Sequence, residues 1–144
     1  MDERTTPTDF ETGEPPSIVF LCVHNAGRSQ MAAAFARQLG GDRVLVHSAG
    51  SDPAETLNPA VVEAMNEKGL DLSHQAPQKL TLEMGLRADV IVTMGCGDAC
   101  PVYAGKRYLE WDLEDPSNKP LRVVRLIRDE IEERVRNLLE ELVD

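Results

Sequence analysis

One stretch of the chain holds residue types that could do chemistry together: Cys22-Val23-His24-Asn25-Ala26-Gly27-Arg28-Ser29. A thiol and a guanidinium flank a short run of small and polar residues. An apolar segment, Ile18 to Leu21, precedes it, and a helix-forming segment, Ser29 to Phe35, follows. Strand, tight loop and helix in that order make a nest for an anion. The backbone N–H groups of residues 23–28 can turn inward, and the positive end of the helix dipole points at the same spot. Gly27 is expected to supply backbone freedom, and Asn25 is one of the few non-glycine types that tolerate a left-handed conformation. Arg28 would clamp two oxygens of a tetrahedral oxyanion through its planar fork, a geometry that lysine cannot reproduce. The same positive field favours thiolate over thiol at Cys22, and Ser29 can donate a hydrogen bond to it. Cys22 therefore reads as a nucleophile. The plainer alternative, a cysteine that is only a small buried hydrophobe, leaves the strand before it and the helix after it without a purpose.

The elements that must position this loop follow from hydrophobic periodicity. Met1 to Pro16 is rich in Thr, Glu, Asp and Pro and reads as a flexible acidic tail, with a single domain expected over 17–144. Met31, Phe35 and Leu39 mark one face of the first helix, which Gly40-Gly41 should cap. Val44 to Val46 predicts a second strand leading into Ser48-Ala49-Gly50. Asn58-Pro59 opens a second helix with Val61, Val62 and Met65 on its buried face, ended by Gly69. Thr81 to Arg87 predicts a short third helix. Asp89 to Met94 is a β-branched run suited to a strand buried on both faces, and Lys106 to Trp111 a short fourth strand. Ile127, Ile131, Val135, Leu138 and Leu142 recur at helical spacing among charges and predict a closing amphipathic helix. Strands alternating with helices imply an α/β fold, a four-stranded parallel sheet with helices on both faces. Ligands in such a sheet bind beyond the carboxyl ends of its strands. Cys22 ends the first strand, Cys96 and Cys100 follow the third, and Asp112, Glu114 and Asp115 follow the fourth, so these groups are expected to share one edge.

Composition narrows the function classes. The formal charge of −10 argues against nucleic acid and anionic membranes as partners, since phosphate-rich surfaces demand clustered Lys and Arg. No apolar run reaches membrane-spanning length and the N-terminus is polar, so a cytoplasmic location is expected. Three cysteines are an odd number and too few for a disulfide scaffold, which favours catalytic or redox thiols. Cys96 and Cys100 form no zinc site on their own, because structural zinc takes four ligands and no second pair exists; no metal is expected. The run Gly95-Cys96-Gly97-Asp98-Ala99-Cys100 lacks the third glycine of a dinucleotide fingerprint and the amphipathic helix that should follow. It reads instead as a redox pair, two thiols in a glycine-containing loop that close a disulfide if the loop bends. His24 reads as a loop-packing residue, His47 and His74 as structural, and Ser48 as a brace for the nest from the second strand. With no exposed apolar stripe, a monomer is expected.

The segments LCVHNAGRSQMA, TMGCGDACP and WDLEDP, in that order, resemble the arsenate reductases built on the low-molecular-weight protein tyrosine phosphatase fold, of the thioredoxin-coupled kind with three functional cysteines. The likeness spans Ser17 to about Val143. It implies that Cys22 attacks arsenate held by residues 23–29 and Arg28, and that Asp115 protonates the departing oxygen. It implies further that Cys96 attacks Cys22 and releases arsenite, and that Cys100 takes over the disulfide and presents it to thioredoxin or a glutaredoxin-like dithiol protein. No bound cofactor is implied. Without flavin, haem or nicotinamide motifs, two thiols are the source of the two electrons that arsenate reduction requires.

The chain departs from the family at three places. The Cys96–Cys100 spacing is shorter than in the best-known members. Ala33 and Ala76-Pro77 stand where acidic residues help to hold potassium, so potassium dependence is not carried across. Gly27 replaces the cysteine that phosphatases of this fold place before the arginine, and Ser117-Asn118 replaces their aromatic pair. Two alternatives stay open: a tyrosine phosphatase using Cys22, Arg28 and Asp115 alone, and a noncatalytic oxyanion-binding protein.

Overall fold

The strand that delivers the thiol, β1 (Ser17–Cys22), is buried at every position, as its apolar run requires. It takes a central place because both its neighbours pair with it. On one side it runs parallel to β2 (Leu45–Gly50), in register from Ser17 opposite Leu45 to Cys22 opposite Gly50. On the other it runs parallel to β3 (Val90–Thr93), with Ile18 opposite Val90 and Leu21 opposite Thr93. β4 (Arg107–Glu110) completes the sheet beside β3, and the order is β2-β1-β3-β4 with every pairing parallel. This computed structural model describes residues 15–95 and 105–143. Residues 1–14 of the expected tail lie outside that range. Pro16, assigned to the tail, is buried, and its carbonyl accepts a 2.9 Å bond from the Leu45 N–H, so the domain takes it in.

Side chains of a strand alternate between faces, and both faces of the two central strands are covered. Ile18, Phe20 and Cys22 of β1 and Val90 and Val92 of β3 point into the larger core, with α1 (Arg28–Gly40), α2 (Pro59–Asn66) and α4 (Leu121–Val143). Val19, Leu21 and Ile91 point the other way, toward Leu80, Ala88 and Met84 of α3 (Leu82–Arg87). The edge strands β2 and β4 expose residues at their outer positions, which suits half-covered neighbours of a buried pair.

α1 is buried more completely than the Met31, Phe35, Leu39 stripe predicts. Met31 and Phe35 are fully buried and Leu39 half-buried, but Ala32, Ala33, Ala34 and Ala36 are buried as well. The helix touches β1, β2 and α4. Its run of alanines lets neighbours approach on several sides, and a stripe-based reading of periodicity misses that. α2 starts as expected: Asn58 Oδ1 accepts from the Ala60 N–H at 2.9 Å and Pro59 fills the first turn. Val61 and Met65 are buried, while Val62 is half-buried. Thr81 caps α3, its Oγ1 accepting from the Met84 N–H at 3.1 Å. α4 buries Ile127, Ile131, Val135 and Leu138, with Leu142 half-buried. Leu82 and Leu86, one turn apart on α3, are exposed; the surface is less uniformly polar than expected. Among the described residues no helix is long and apolar enough to cross a membrane.

Candidate active site

The loop between β1 and α1 is held from outside by its own carbonyls. Those of Cys22, Val23, His24 and Ala26 accept hydrogen bonds from the N–H groups of Ser51, Asp52, Ala54 and Asn58, at 2.8–3.3 Å. In a planar trans peptide the next residue's N–H points opposite to the carbonyl. The N–H groups of residues 23, 24, 25 and 27 are therefore turned away from the 51–58 segment, as an anion nest requires. Asn25 adopts the left-handed conformation expected of it, with φ 51°. Gly27 does not. It precedes the first helical residue at φ −144°, and its need for glycine is spatial: a Cβ there would lie 2.9 Å from Pro116 Cγ.

Cys22 is buried, and its Sγ lies 2.9 Å from Ser29 Oγ. Asn25 Nδ2 donates to that same hydroxyl oxygen at 2.7 Å. With a lone pair of Ser29 occupied by Asn25, the hydroxyl proton is available to sulfur, and this polarity supports a thiolate. α1 begins at Arg28, one residue earlier than expected, so Ser29 meets the sulfur from within the first turn.

Arg28 is buried and fixed at three points. Its Nη1 donates to the Leu113 carbonyl at 3.1 Å, and its Nη2 lies 3.8 Å from Asp115 Oδ2. The third is Gly95 at φ 86°, where a Cβ would lie 2.5 Å from Nη1. Any other residue at 95 would be strained and would push the guanidinium aside. Cys22, Arg28 and Asp115 line one small cleft with His24, Asn58 and Pro116. Among the described residues no Phe, Tyr or Trp lines it.

Among the described residues, Asp115 is the carboxylate that lines this cleft. Asp112 is exposed, and Glu114 pairs with Lys119 at 3.5 Å. Partial burial pushes the Asp115 carboxyl up. The N–H and side chain of Ser117, with the charges of Arg28 and His24, outweigh that and hold it below the usual carboxylate range. The Ser117 N–H donates to Asp115 Oδ1 at 3.0 Å, and Asn58 Nδ2 reaches the Pro116 carbonyl at 3.4 Å, so α2 anchors the segment that carries the acid. His24 is exposed, with Nδ1 3.0 Å from the Asp52 carbonyl oxygen, and it lines the cleft rather than merely packing the loop. His47 and His74 are exposed and do not line it. Cys96, Asp98 and Cys100 lie outside the described residues.

Two residues of the site carry no local signal in the sequence. Gln30 Nε2 donates to the Asn25 carbonyl, to Asn25 Oδ1 and to the Ala76 carbonyl. Gln78 donates its backbone N–H to Asn25 Oδ1 at 2.9 Å and its Nε2 to the Ser48 carbonyl at 2.8 Å. The brace expected from Ser48 thus runs through its carbonyl and Gln78. Ala33 is buried in α1 and Ala76 offers only its carbonyl, so neither brings a carboxylate to the loop. Among the described residues no group of three His, Cys, Asp or Glu could hold a metal ion.

This geometry belongs to a known family. The chain matches the low molecular weight phosphotyrosine protein phosphatases over residues 17–144. An arsenate reductase of Halalkalibacterium halodurans is 37% identical over 133 residues, covering 85% of this chain and 94% of that protein. A glutaredoxin arsenate reductase of Synechocystis is 34% identical over 125 residues, covering 85% and 95%. Among solved structures, a thioredoxin-dependent arsenate reductase of Corynebacterium glutamicum superposes with a TM-score of 0.79 at 41% identity, over 93% of this chain. The chain spans 65% of the length of that solved protein. The chain belongs to the low molecular weight phosphotyrosine protein phosphatase family, among its arsenate reductases.

Proposed function

We propose that this family member reduces arsenate to arsenite through Cys22, Cys96 and Cys100 in turn, and that thioredoxin restores the thiols. The Cys22 thiolate attacks the arsenic of an arsenate held by the loop N–H groups and Arg28. An As–O bond breaks as the S–As bond forms, and Asp115 gives the departing oxygen a proton. The Ser117 hydrogen bonds, and after them the charges of Arg28 and His24, hold the Asp115 carboxyl down; a bound anion offsets the two charges and so favours the protonated acid. The Cys96 thiolate then attacks Cys22 Sγ. The S–As electron pair stays with arsenic, which leaves as arsenite, and a Cys22–Cys96 disulfide remains. Cys100 attacks Cys96, frees Cys22 as thiolate and closes a Cys96–Cys100 disulfide, which a thioredoxin dithiol reduces. Two electrons pass from dithiol to arsenic.

The observation that carries this reading is that the chain leaving β3 sets Gly95 against the guanidinium of Arg28, which lines the Cys22 cleft. Consecutive Cα atoms are about 3.8 Å apart, so Cys96 follows directly on a residue that touches the anion clamp. Among the described residues no Phe, Tyr or Trp lines the cleft, which favours a small inorganic oxyanion over a tyrosyl phosphate. The test is arsenite release with and without a thioredoxin system. The wild type is expected to turn over repeatedly with thioredoxin. Cys100→Ser should release about one arsenite per chain and stop, and Cys22→Ser should release none. Sustained hydrolysis of an aryl phosphate by a Cys96→Ser, Cys100→Ser double variant, with no arsenite from the wild type, would make the protein a phosphatase instead.

A further inference from the structure

The shape of the anion loop depends on Asn25, and Asn25 depends on a residue the reaction scheme does not use. Gln30 is only 1% exposed, and its carboxamide turns back from α1 toward the loop. Its Nε2 meets three oxygens, Asn25 Oδ1 at 3.0 Å, the Asn25 carbonyl at 3.2 Å and the Ala76 carbonyl at 3.3 Å. Its own Oε1 is buried and has no hydrogen-bond partner among the described residues. A buried amide oxygen left unpaired is costly. A leucine or methionine would fill the same space without that cost, so the two N–H groups are what the site retains.

We infer that Gln30 is a positioning residue that fixes the polarity of the hydrogen-bond chain ending on the Cys22 sulfur. Asn25 Oδ1 accepts from Gln30 Nε2 and from the Gln78 N–H. With its oxygen occupied twice, the Asn25 carboxamide presents only Nδ2 to Ser29 Oγ. Ser29 accepts that bond and directs its own proton to Cys22 Sγ, 2.9 Å away. Without the Gln30 donors only the Gln78 N–H holds Asn25 Oδ1, and the Asn25 amide turns its oxygen toward Ser29 more readily. The hydroxyl would then donate to Asn25, and the thiolate would lose its donor. The inference rests on Cys22 being the nucleophile and is independent of arsenate being the substrate.

The test measures iodoacetamide alkylation of Cys22 against pH, following the Cys22 peptide of the full chain by mass spectrometry. The variants are Gln30→Leu, Gln30→Met, Ser29→Ala and the Gln30→Leu, Ser29→Ala double. Gln30→Leu should slow alkylation at neutral pH by about fivefold, the effect of one lost hydrogen bond, and should move the whole profile to higher pH. Gln30→Met, which keeps the bulk, should do the same if Gln30→Leu proves poorly folded. In the Ser29→Ala background, replacing Gln30 should change nothing further, because the chain to sulfur is already cut. A wild-type profile in both Gln30 variants, or an equal loss with and without Ser29, would overturn the inference. A wild-type Cys22 that reacts like a free cysteine at every pH would instead overturn the nucleophile on which it rests.

Discussion

Cys22, Ser29 and Arg28 sit on one strand–loop–helix unit, and the loop sets how thiol, hydroxyl and guanidinium are placed. Of the acids between 112 and 115, Asp115 is the one that joins them. It reaches the cleft while Glu114 pairs with Lys119. Gln30 and Gln78 are invisible at this scale, since an amide acting on a backbone oxygen 46 residues away, or on a side chain 53 residues away, leaves no spacing to detect. Gly27 shows a further limit: the residue type is right, but the reason is the space taken by Pro116 rather than a special φ. If Asp115 is the general acid, Asp115→Asn should lower kcat by about a hundredfold or more. Inhibition by phosphate should not weaken, because a carboxylate that opposes the anion has been removed. An equal loss of kcat in Asp112→Asn would assign the proton elsewhere.

At the scale of elements, strands and helices were readable wherever pattern and end signals agreed, as at Asn58-Pro59 and Thr81. Packing partners were not. The burial of α1 on several sides comes from what surrounds its alanines, and the tie between α2 and α4 comes from residues whose sequence context is an ordinary charged surface. Glu67, at the end of α2, accepts from Arg125 Nε and Nη2 and from Arg128 Nη1 of α4, at 2.7–3.1 Å. Those bonds, Arg125 first and Arg128 second, hold the Glu67 carboxyl down to about 2 from the usual 4.5. A depressed carboxyl stabilises the fold fully above its unfolded value, and the gain is lost as pH falls toward the folded one. The urea midpoint of the wild type should therefore drop between about pH 4.5 and pH 2 more steeply than that of Glu67→Gln. Parallel profiles for the two proteins would remove Glu67 from the account of how α2, and the Asn58 anchor at its start, is held.

Over the whole molecule the parallel sheet explains why residues far apart in sequence meet at one cleft. The carboxyl ends of β1 and β3, and the segment after β4, all open on the edge where the Cys22 loop lies. The rule that ligands gather there made this convergence readable before any coordinates. What it could not supply is contact, such as Gly95 against Arg28, because contact depends on side-chain reach across strands. An anion site in a chain of net charge −10 must likewise be built locally, from N–H groups, a helix end and one buried arginine. The central claim is that oxidation passes from Cys22 to Cys96 and then to Cys100. The most direct measurement is disulfide mapping by mass spectrometry after reduced protein meets arsenate. A Cys96–Cys100 disulfide is expected in the wild type and a trapped Cys22–Cys96 disulfide in Cys100→Ser. Arsenate that leaves all three thiols reduced would contradict the account.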